Sequence, residues 1–137
     1  HTVSVTRLCD YYCGAYPILN RDLLITAAIF HDIGKTQELS AFPVNDYTDD
    51  GQLLGHIMIG AEMVHDGARQ IPGFPAKLES ELKHCILAHH GELEYGSPKK
   101  PALMEAAALN LAENAGEQNE WLGYNRLFES NIRKTSK

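Results

Sequence analysis

The sequence predicts an all-α protein, a helical bundle that forms one domain over residues 1–137. Three observations support this prediction. Apolar residues recur at helical spacing through most of the chain. Gly, Pro and Asn stand where each apolar pattern stops. The length of 137 residues, with 44% hydrophobic content, suits one compact core.

The first two predicted helices occupy the amino-terminal quarter of the chain. The first begins near Val3, because the apolar residues that follow it share one helical face, and it ends at Gly14. Asn20 is a residue type that caps helices, so we expect it to begin the second helix. That helix runs to Phe30, and Gly34 marks a break just past its end.

The rest of the chain alternates between loops and helices. Residues 40–51 are rich in Pro, Asn, Asp and Gly and are predicted to form a loop or lid, as are residues 91–101. Three more helices are predicted over residues 53–69, 76–89 and 102–115. A short tail over about 117–137 contains an amphipathic segment at 121–132.

Charge and hydropathy limit the classes of function. The net charge is −6, and residues 121–137 contain four basic residues against one acidic residue, so the acidic character lies in the rest of the chain. A broad nucleic-acid surface of the counter-ion-release type is therefore excluded. Any attraction for a polyanion must come from bound cations, the basic tail or a partner domain. No apolar run approaches the roughly 18 residues of a membrane span, and no signal segment opens the chain, so we expect no membrane contact.

The three cysteines indicate a reducing compartment. Cys9 and Cys13 lie one helical turn apart and Cys85 falls in a predicted core position. We expect reduced, buried thiols and a cytoplasmic location. A metal-binding role for Cys9 and Cys13 is the alternative, but the chain offers no second cysteine pair at zinc spacing.

The histidines carry the strongest functional signal. The chain has seven, and most fall near the predicted ends of helices. Imidazole and carboxylate bind borderline divalent metals, and helical bundles build such sites from facing helices. Asp32, with two oxygens, is the natural bridge between two ions. One ion would take His1, His31, Asp32 and an acid from the fifth predicted helix, and the other would take Asp32, His56, His89 and His90. His65 and His84 match no ligand position, and we interpret them as surface or core residues.

Such a site suits phosphoester hydrolysis. Two ions about 3.5–4 Å apart activate a water molecule and stabilise charge on a phosphoryl group. They also neutralise substrate charge, so an acidic domain could still bind phosphate. Asp32 and Lys35 are therefore the predicted catalytic residues, with Lys35 reaching a phosphate oxygen of the substrate.

The sequence resembles the HD superfamily of metal-dependent phosphohydrolases over nearly its whole length. The resemblance rests on the segments Ile29–Lys35, Leu53–Ile57 and Leu87–Pro98. Within the superfamily, the last two segments are similar to the YhaM-type 3′-to-5′ exoribonucleases, as are Pro101, Glu105 and Trp121–Leu127.

The resemblance implies an α-helical HD domain that binds one or two divalent cations and removes nucleotides from an RNA 3′ end. Manganese is the typical ion, with Fe, Ni, Zn, Co or Mg as alternatives. It also implies that His1, His31, Asp32, His56, His89 and His90 are ligands. Glu113 stands where the family has Asp, and it is the implied acid from the fifth predicted helix.

Two further departures concern the chain outside this ligand set. The family continues after Ala115 with an Asp-Ala-Lys element and more helix, whereas this chain continues with Gly116. YhaM-type enzymes also carry an amino-terminal OB-fold domain that this chain lacks. Because position 1 is His rather than Met, we expect a trimmed or excised domain. Trp121 and Tyr124 could stack on bases, or they could dock the tail on the bundle.

Two other functions stay open from the sequence. The first is an HD phosphohydrolase acting on a small nucleotide or cyclic dinucleotide. The cyclic-dinucleotide version is disfavoured because the loop after His90 lacks the Gly-Tyr-Pro signature of that branch. The second is a catalytically inactive HD signalling module, for which Glu113 and a shortened fifth predicted helix are the support.

Overall fold

Helices make up most of the chain. The computed structural model describes residues 1–40 and 46–115. Its helices are α1 Thr2–Ala15, α2 Arg21–Phe30, α3 Lys35–Glu38, α4 Asp49–Leu53, α5 Gly55–Arg69, α6 Ala76–Leu87 and α7 104–115, with a 3-10 turn at Leu93–Tyr95. Within these ranges the only extended pairing is an isolated bridge between Leu39 and Tyr47. The predicted all-α class is confirmed.

One core joins the long helices. α2 packs against both α1 and α6, and α6 also packs against α5. The fully buried side chains at the centre include Val5, Leu24 and Leu109. Small residues line the rest of the core, so the helices approach closely: Ala27, Ala28, Ala88, Ala106, Ala108 and Ala112. Residues of α2, α6 and α7 therefore share one core cluster.

The α1–α2 turn is held by two polar contacts. The side chain of Asn20 accepts a hydrogen bond from the backbone N–H of Leu23, at 3.2 Å, so the predicted cap is confirmed. The backbone N–H of Asn20 donates to Glu105 Oε1 of α7 at 2.9 Å. The second bond ties the carboxy-terminal described helix to the start of α2.

Part of the loop prediction for 40–51 is wrong. α4 covers Asp49–Leu53, because Thr48 caps it by accepting a hydrogen bond from Gly51 N at 2.9 Å. The following helix begins at Gly55 rather than at 53, since Gly55 has a φ of 77° and interrupts the helical path. Residues 41–45 and the predicted tail over 117–137 lie outside the described residues.

Helix ends near the predicted site also differ from expectation. α2 ends at Phe30, and a turn follows that leads directly into α3, a helix the sequence analysis did not predict. α6 ends at Leu87 rather than at 89, because Ala88 leaves the helical region with a ψ of 2°. The two histidine-bearing motifs therefore lie on turns, where the backbone can aim neighbouring side chains in different directions.

Gly34 allows the turn after α2 to approach α5 closely. A Cβ on Gly34 would overlap the carbonyl of His56 and lie 2.7 Å from Gly60 N, so only glycine permits the observed contact. This contact sets the turn after α2 against the start of α5. None of the described helices is long and apolar enough to cross a membrane.

Candidate metal centre

Five parts of the chain converge on one cluster of imidazoles and carboxylates. They are the start of α1, the α2–α3 turn, the start of α5, the turn after α6, and α7. All seven predicted ligand residues fall into two groups, each with its ligand atoms within 4.8 Å of one another: His1, His31, Asp32 and Glu113, and His56, His89 and His90.

Asp32 lies between the two groups. Its Oδ2 is 3.3 Å from His31 Nε2, whereas its Oδ1 is 3.3 Å from His89 Nε2 and 3.7 Å from His56 Nε2. One oxygen therefore faces each group. This is the arrangement expected of a carboxylate shared by two cations.

Glu113 reaches the first group despite its extra methylene. Its side chain is buried, and its Oε2 lies 2.9 Å from His1 Nε2 and 3.0 Å from His31 Nε2. α7 is thus close enough for Glu113 to reach both imidazoles. The geometry gives no reason to remove Glu113 from the predicted set.

The cluster contains several buried polar atoms that make no well-directed hydrogen bond among the described residues, although oppositely charged atoms lie 3.0–3.7 Å away. They are His31 Nε2, Asp32 Oδ1, His56 Nε2 and His89 Nε2. Buried polar atoms without partners cost on the order of 1–3 kcal/mol each, so a cluster of them indicates a ligand that satisfies them together. Because nitrogen and carboxylate donors converge here, the residues fit a divalent cation.

Backbone carbonyls orient two of the imidazoles. His31 Nδ1 donates to the carbonyl of Ala28 and His89 Nδ1 donates to that of Ile86, both at 2.6 Å. A carbonyl can only accept, so Nδ1 carries the proton in each ring. Nε2 of each ring therefore faces the cluster, and a metal ion bound there would take the place of any proton on that atom.

The pKa values of His31 and Asp32 are shifted because the two side chains are in contact at a buried site. Burial alone would lower the pKa of His31, but the carboxylates of Asp32 and Glu113 outweigh it and raise the pKa to about 10. Burial likewise acts to raise the pKa of Asp32, yet His31 and His89 hold it far below its usual range. Burial and the neighbouring His89 lower the pKa of His90, which favours its neutral form.

Glu38 contacts the cluster and was not predicted from the sequence. Its Oε2 accepts from the backbone N–H of His56 at 2.9 Å and from His56 Nδ1 at 3.3 Å. The carboxylate thereby orients the ring with Nε2 toward Asp32. Glu38 lies on the unpredicted helix α3, so nothing in the sequence distinguished it from an exposed acid.

Two residues beside the His89–His90 pair were also not predicted from the sequence. Ser97 Oγ accepts from the backbone N–H of His90 at 2.9 Å. Asn110 Nδ2 donates to the carbonyl of His89 at 3.0 Å. A Ser in a loop and an Asn on a helix are common, so only the three-dimensional contacts reveal them.

Lys35 lies beside the cluster. Its Nζ is 3.3 Å from Asp32 Oδ2, and its side chain is 54% exposed. The ammonium is therefore close to the cluster and also accessible from solvent. An incoming anion could meet it without rearrangement of the core.

The remaining histidines and the cysteines lie outside the cluster. His65 contacts Glu79, and His84 accepts from the backbone N–H of Ala102. Cys9 and Cys85 are buried free thiols, as predicted, and Cys13 is partly buried. None of these residues belongs to either metal-ligand group found among the described residues.

The helical fold and this cluster together place a set of candidate metal ligands between helices. The model of the HD domain family matches residues 1–118. The chain belongs to the HD domain family. This membership supports a metal-dependent hydrolase.

Several curated relatives of the chain share one name. Proteins named 3′-5′ exoribonuclease YhaM from Bacillus velezensis and Bacillus subtilis are 42% and 41% identical to this chain, each over 83% of the chain and 36% of the relative. The protein of that name from Listeria innocua is 43% identical over 80% of the chain and 35% of the relative. The chain thus spans about a third of the length of these relatives. No solved structure matches it.

Proposed function

We propose that this chain is a divalent-metal-dependent phosphodiesterase domain that hydrolyses RNA from the 3′ end. One observation carries the proposal: the buried, unpartnered nitrogen and oxygen atoms around Asp32 converge from separate segments. A fold that retains several such atoms at one point bears a cost that bound cations would remove.

Each group would hold one cation. His1, His31 and Glu113 would bind the first, and His56, His89 and His90 would bind the second, with Asp32 supplying an oxygen to both. Bound there, the cations would supply Lewis acidity and lower the pKa of water. Manganese is our proposed ion, and other first-row ions suit the same donor atoms.

The chain's own residues would orient the substrate. Lys35 would leave its contact with Asp32 and bind a non-bridging phosphate oxygen, since its side chain is accessible. Asp32 would align both groups with the scissile phosphate because one of its oxygens faces each. These are the two residues that we propose as catalytic.

RNA is the proposed substrate because the curated relatives are named as 3′-5′ exoribonucleases. The net charge of −6 disfavours tight binding of a polyanion by this domain alone. We therefore propose that an OB-fold domain, in the same protein or as a partner, provides most of the affinity for RNA. The free thiols suit a cytoplasmic location.

Degradation of a 5′-labelled RNA in Mn²⁺ tests the proposal. We expect stepwise shortening from the 3′ end with release of mononucleotides. Asp32→Ala should reduce the rate by at least about 10³-fold, since it removes a group that acts with both cations. Asp66→Asn, which changes an exposed aspartate on α5, is the matched control and should retain full activity. Full activity of Asp32→Ala would refute the proposal.

A small nucleotide is the second candidate substrate, and the acidic surface favours it because a small ligand needs no extended basic groove. Hydrolysis of mononucleotides, cyclic dinucleotides and RNA should be compared at one Mn²⁺ concentration. Preference for RNA supports the first proposal, and preference for a small nucleotide supports the second. A protein that acquires no Mn, Fe, Ni or Zn by elemental analysis would instead be an inactive HD module.

A further inference from the structure

One peptide group, the one between His89 and His90, is held from both sides. Its carbonyl accepts a hydrogen bond from Asn110 Nδ2 on α7, at 3.0 Å. Its N–H donates to Ser97 Oγ in the loop after the 3-10 turn, at 2.9 Å. The two contacts come from segments that are separate in sequence and act on the two ends of one rigid plane.

The orientation of this plane affects both imidazoles. The rings are adjacent, with centroids 4.2 Å apart, but they serve different neighbours. His89 Nε2 lies 3.3 Å from Asp32 Oδ1, whereas the His90 ring lies 5.7 Å from that of His56. Rotation of the plane would change the backbone dihedrals of both residues, and both rings would move away from these positions.

The surroundings leave the plane little freedom. Ser97 is 1% exposed, so water cannot readily replace its hydroxyl. Gly91 has a φ of 82°, and a Cβ there would lie 2.6 Å from Asn110 Nδ2. Gly91 therefore both forms the turn and admits the amide of Asn110. Two side chains from separate segments thus bond to one backbone unit, and Gly91 leaves room for one of them.

We propose that Ser97 and Asn110 are positioning residues that set the affinity of the His56–His89–His90 group for its cation. The inference rests on the proposed metal-binding function and goes further by assigning these two residues to one of the two ions. The other group does not include this peptide, since its ligands come from α1, the α2–α3 turn and α7.

A positioning role and a purely structural role of Ser97 and Asn110 predict different effects on the cation affinities of the two groups. Loss of either hydrogen bond should weaken cation binding at the His56–His89–His90 group by about 10–100-fold, the usual effect of outer contacts on metal ligands. The group of His1, His31, Asp32 and Glu113 should keep its affinity. General loosening of the fold would instead weaken both groups and lower the thermal stability of the metal-free protein.

The test is Mn²⁺ titration of the full chain by calorimetry, with bound ions counted by electron paramagnetic resonance. The variants are Asn110→Leu, which keeps the approximate size of the side chain without its donor, and Ser97→Ala. His90→Ala removes a ligand of the His56–His89–His90 group and shows the effect of losing that site. Leu111→Ala changes an exposed neighbour of Asn110 on α7 and is the matched control.

We expect both variants to lose affinity for one ion, as His90→Ala does, while the control resembles the unmodified chain. Equal affinities in the variants and the unmodified chain would overturn the inference and leave the proposed function intact. Equal weakening at both groups, with a lower unfolding temperature of the metal-free protein, would also overturn it. If the unmodified chain binds no Mn²⁺, the proposed function itself fails.

Discussion

At the scale of single residues, the acceptors of the Nδ1 protons decide what the histidines can bind. Backbone carbonyls three residues earlier hold His31 and His89, and a carboxylate from another helix holds His56. Each contact leaves Nε2 facing the cluster. The sequence identified which residues are potential ligands, but the atoms they present depend on these partners.

Substitution of Glu38 tests whether its carboxylate positions the His56 ring. Glu38→Gln keeps an oxygen acceptor near His56 and removes the charge, so the ring loses part of its orientation and basicity. We expect Mn²⁺ affinity at the His56–His89–His90 group to fall by about 10–100-fold in calorimetric titrations. Glu62→Gln, on the exposed face of α5, is the control. Unchanged affinity in Glu38→Gln would show that the ring is positioned by packing alone.

The buried thiols lead to a prediction about reactivity. Burial raises the pKa of Cys9 and of Cys85 to about 12, and burial also raises that of Cys13, which is only partly buried. Because the thiolate is the reactive form, Cys13 should react first with a disulfide reagent at pH 8. Cys9 and Cys85 should react only after denaturation, as peptide mapping of the labelled protein would show. Rapid labelling of all three in the folded protein would contradict this.

The same shifts predict a loss of stability in alkali. The ordinary thiol pKa of 9.0 applies to the unfolded chain, so between pH 9 and about 12 the folded state binds more protons. The contribution is complete below pH 9 and declines as the pH rises, by about 1.4 kcal/mol per pH unit for each buried thiol. Urea unfolding at pH 8 and pH 10.5 measures it. Cys85→Ala should show a smaller decline between the two pH values than the unmodified chain, and an equal decline would refute the assignment.

At the scale of secondary-structure elements, the contact between the α2–α3 turn and α5 places Asp32 near His56. Gly34 makes this contact possible, since any side chain would overlap the α5 backbone. The sequence predicted the helices on either side of the turn from their apolar spacing. It did not predict α3 or α4, because helices of four and five residues have no periodic pattern and depend on caps such as Thr48.

Gly34→Ala should separate these elements. The added methyl group has no space, so we expect a loss of several kcal/mol in the free energy of unfolding, measured by urea titration. Mn²⁺ binding should weaken at both groups because Asp32 moves. Gly67→Ala is the matched control on α5, where a Cβ meets nothing within 4 Å, and helix propensity predicts a gain of up to about 1 kcal/mol. Similar stabilities for the two variants would contradict the steric argument.

At the scale of the whole molecule, the cations would link five segments from residue 1 to residue 113. A ligand that binds only the folded state stabilises it by mass action, about 2.7 kcal/mol at a concentration 100 times its Kd. We therefore expect the unfolding temperature to rise with Mn²⁺ and to fall again with a chelator. Asp32→Ala should lose most of this rise, and Asp66→Asn should keep it. Identical unfolding temperatures with and without Mn²⁺ would contradict cation binding.

The all-α class, the approximate positions of the long helices and the types of residue at the cluster can all be predicted from the sequence. These depend on local apolar spacing and on side-chain chemistry, which can be read along the chain. The three-dimensional contacts were needed to see that Asp32 directs one oxygen to each group and that Glu113 reaches His1 and His31. They also revealed Glu38, Ser97 and Asn110. Their roles depend on contacts between residues far apart in sequence, and a single sequence carries no local pattern for such contacts.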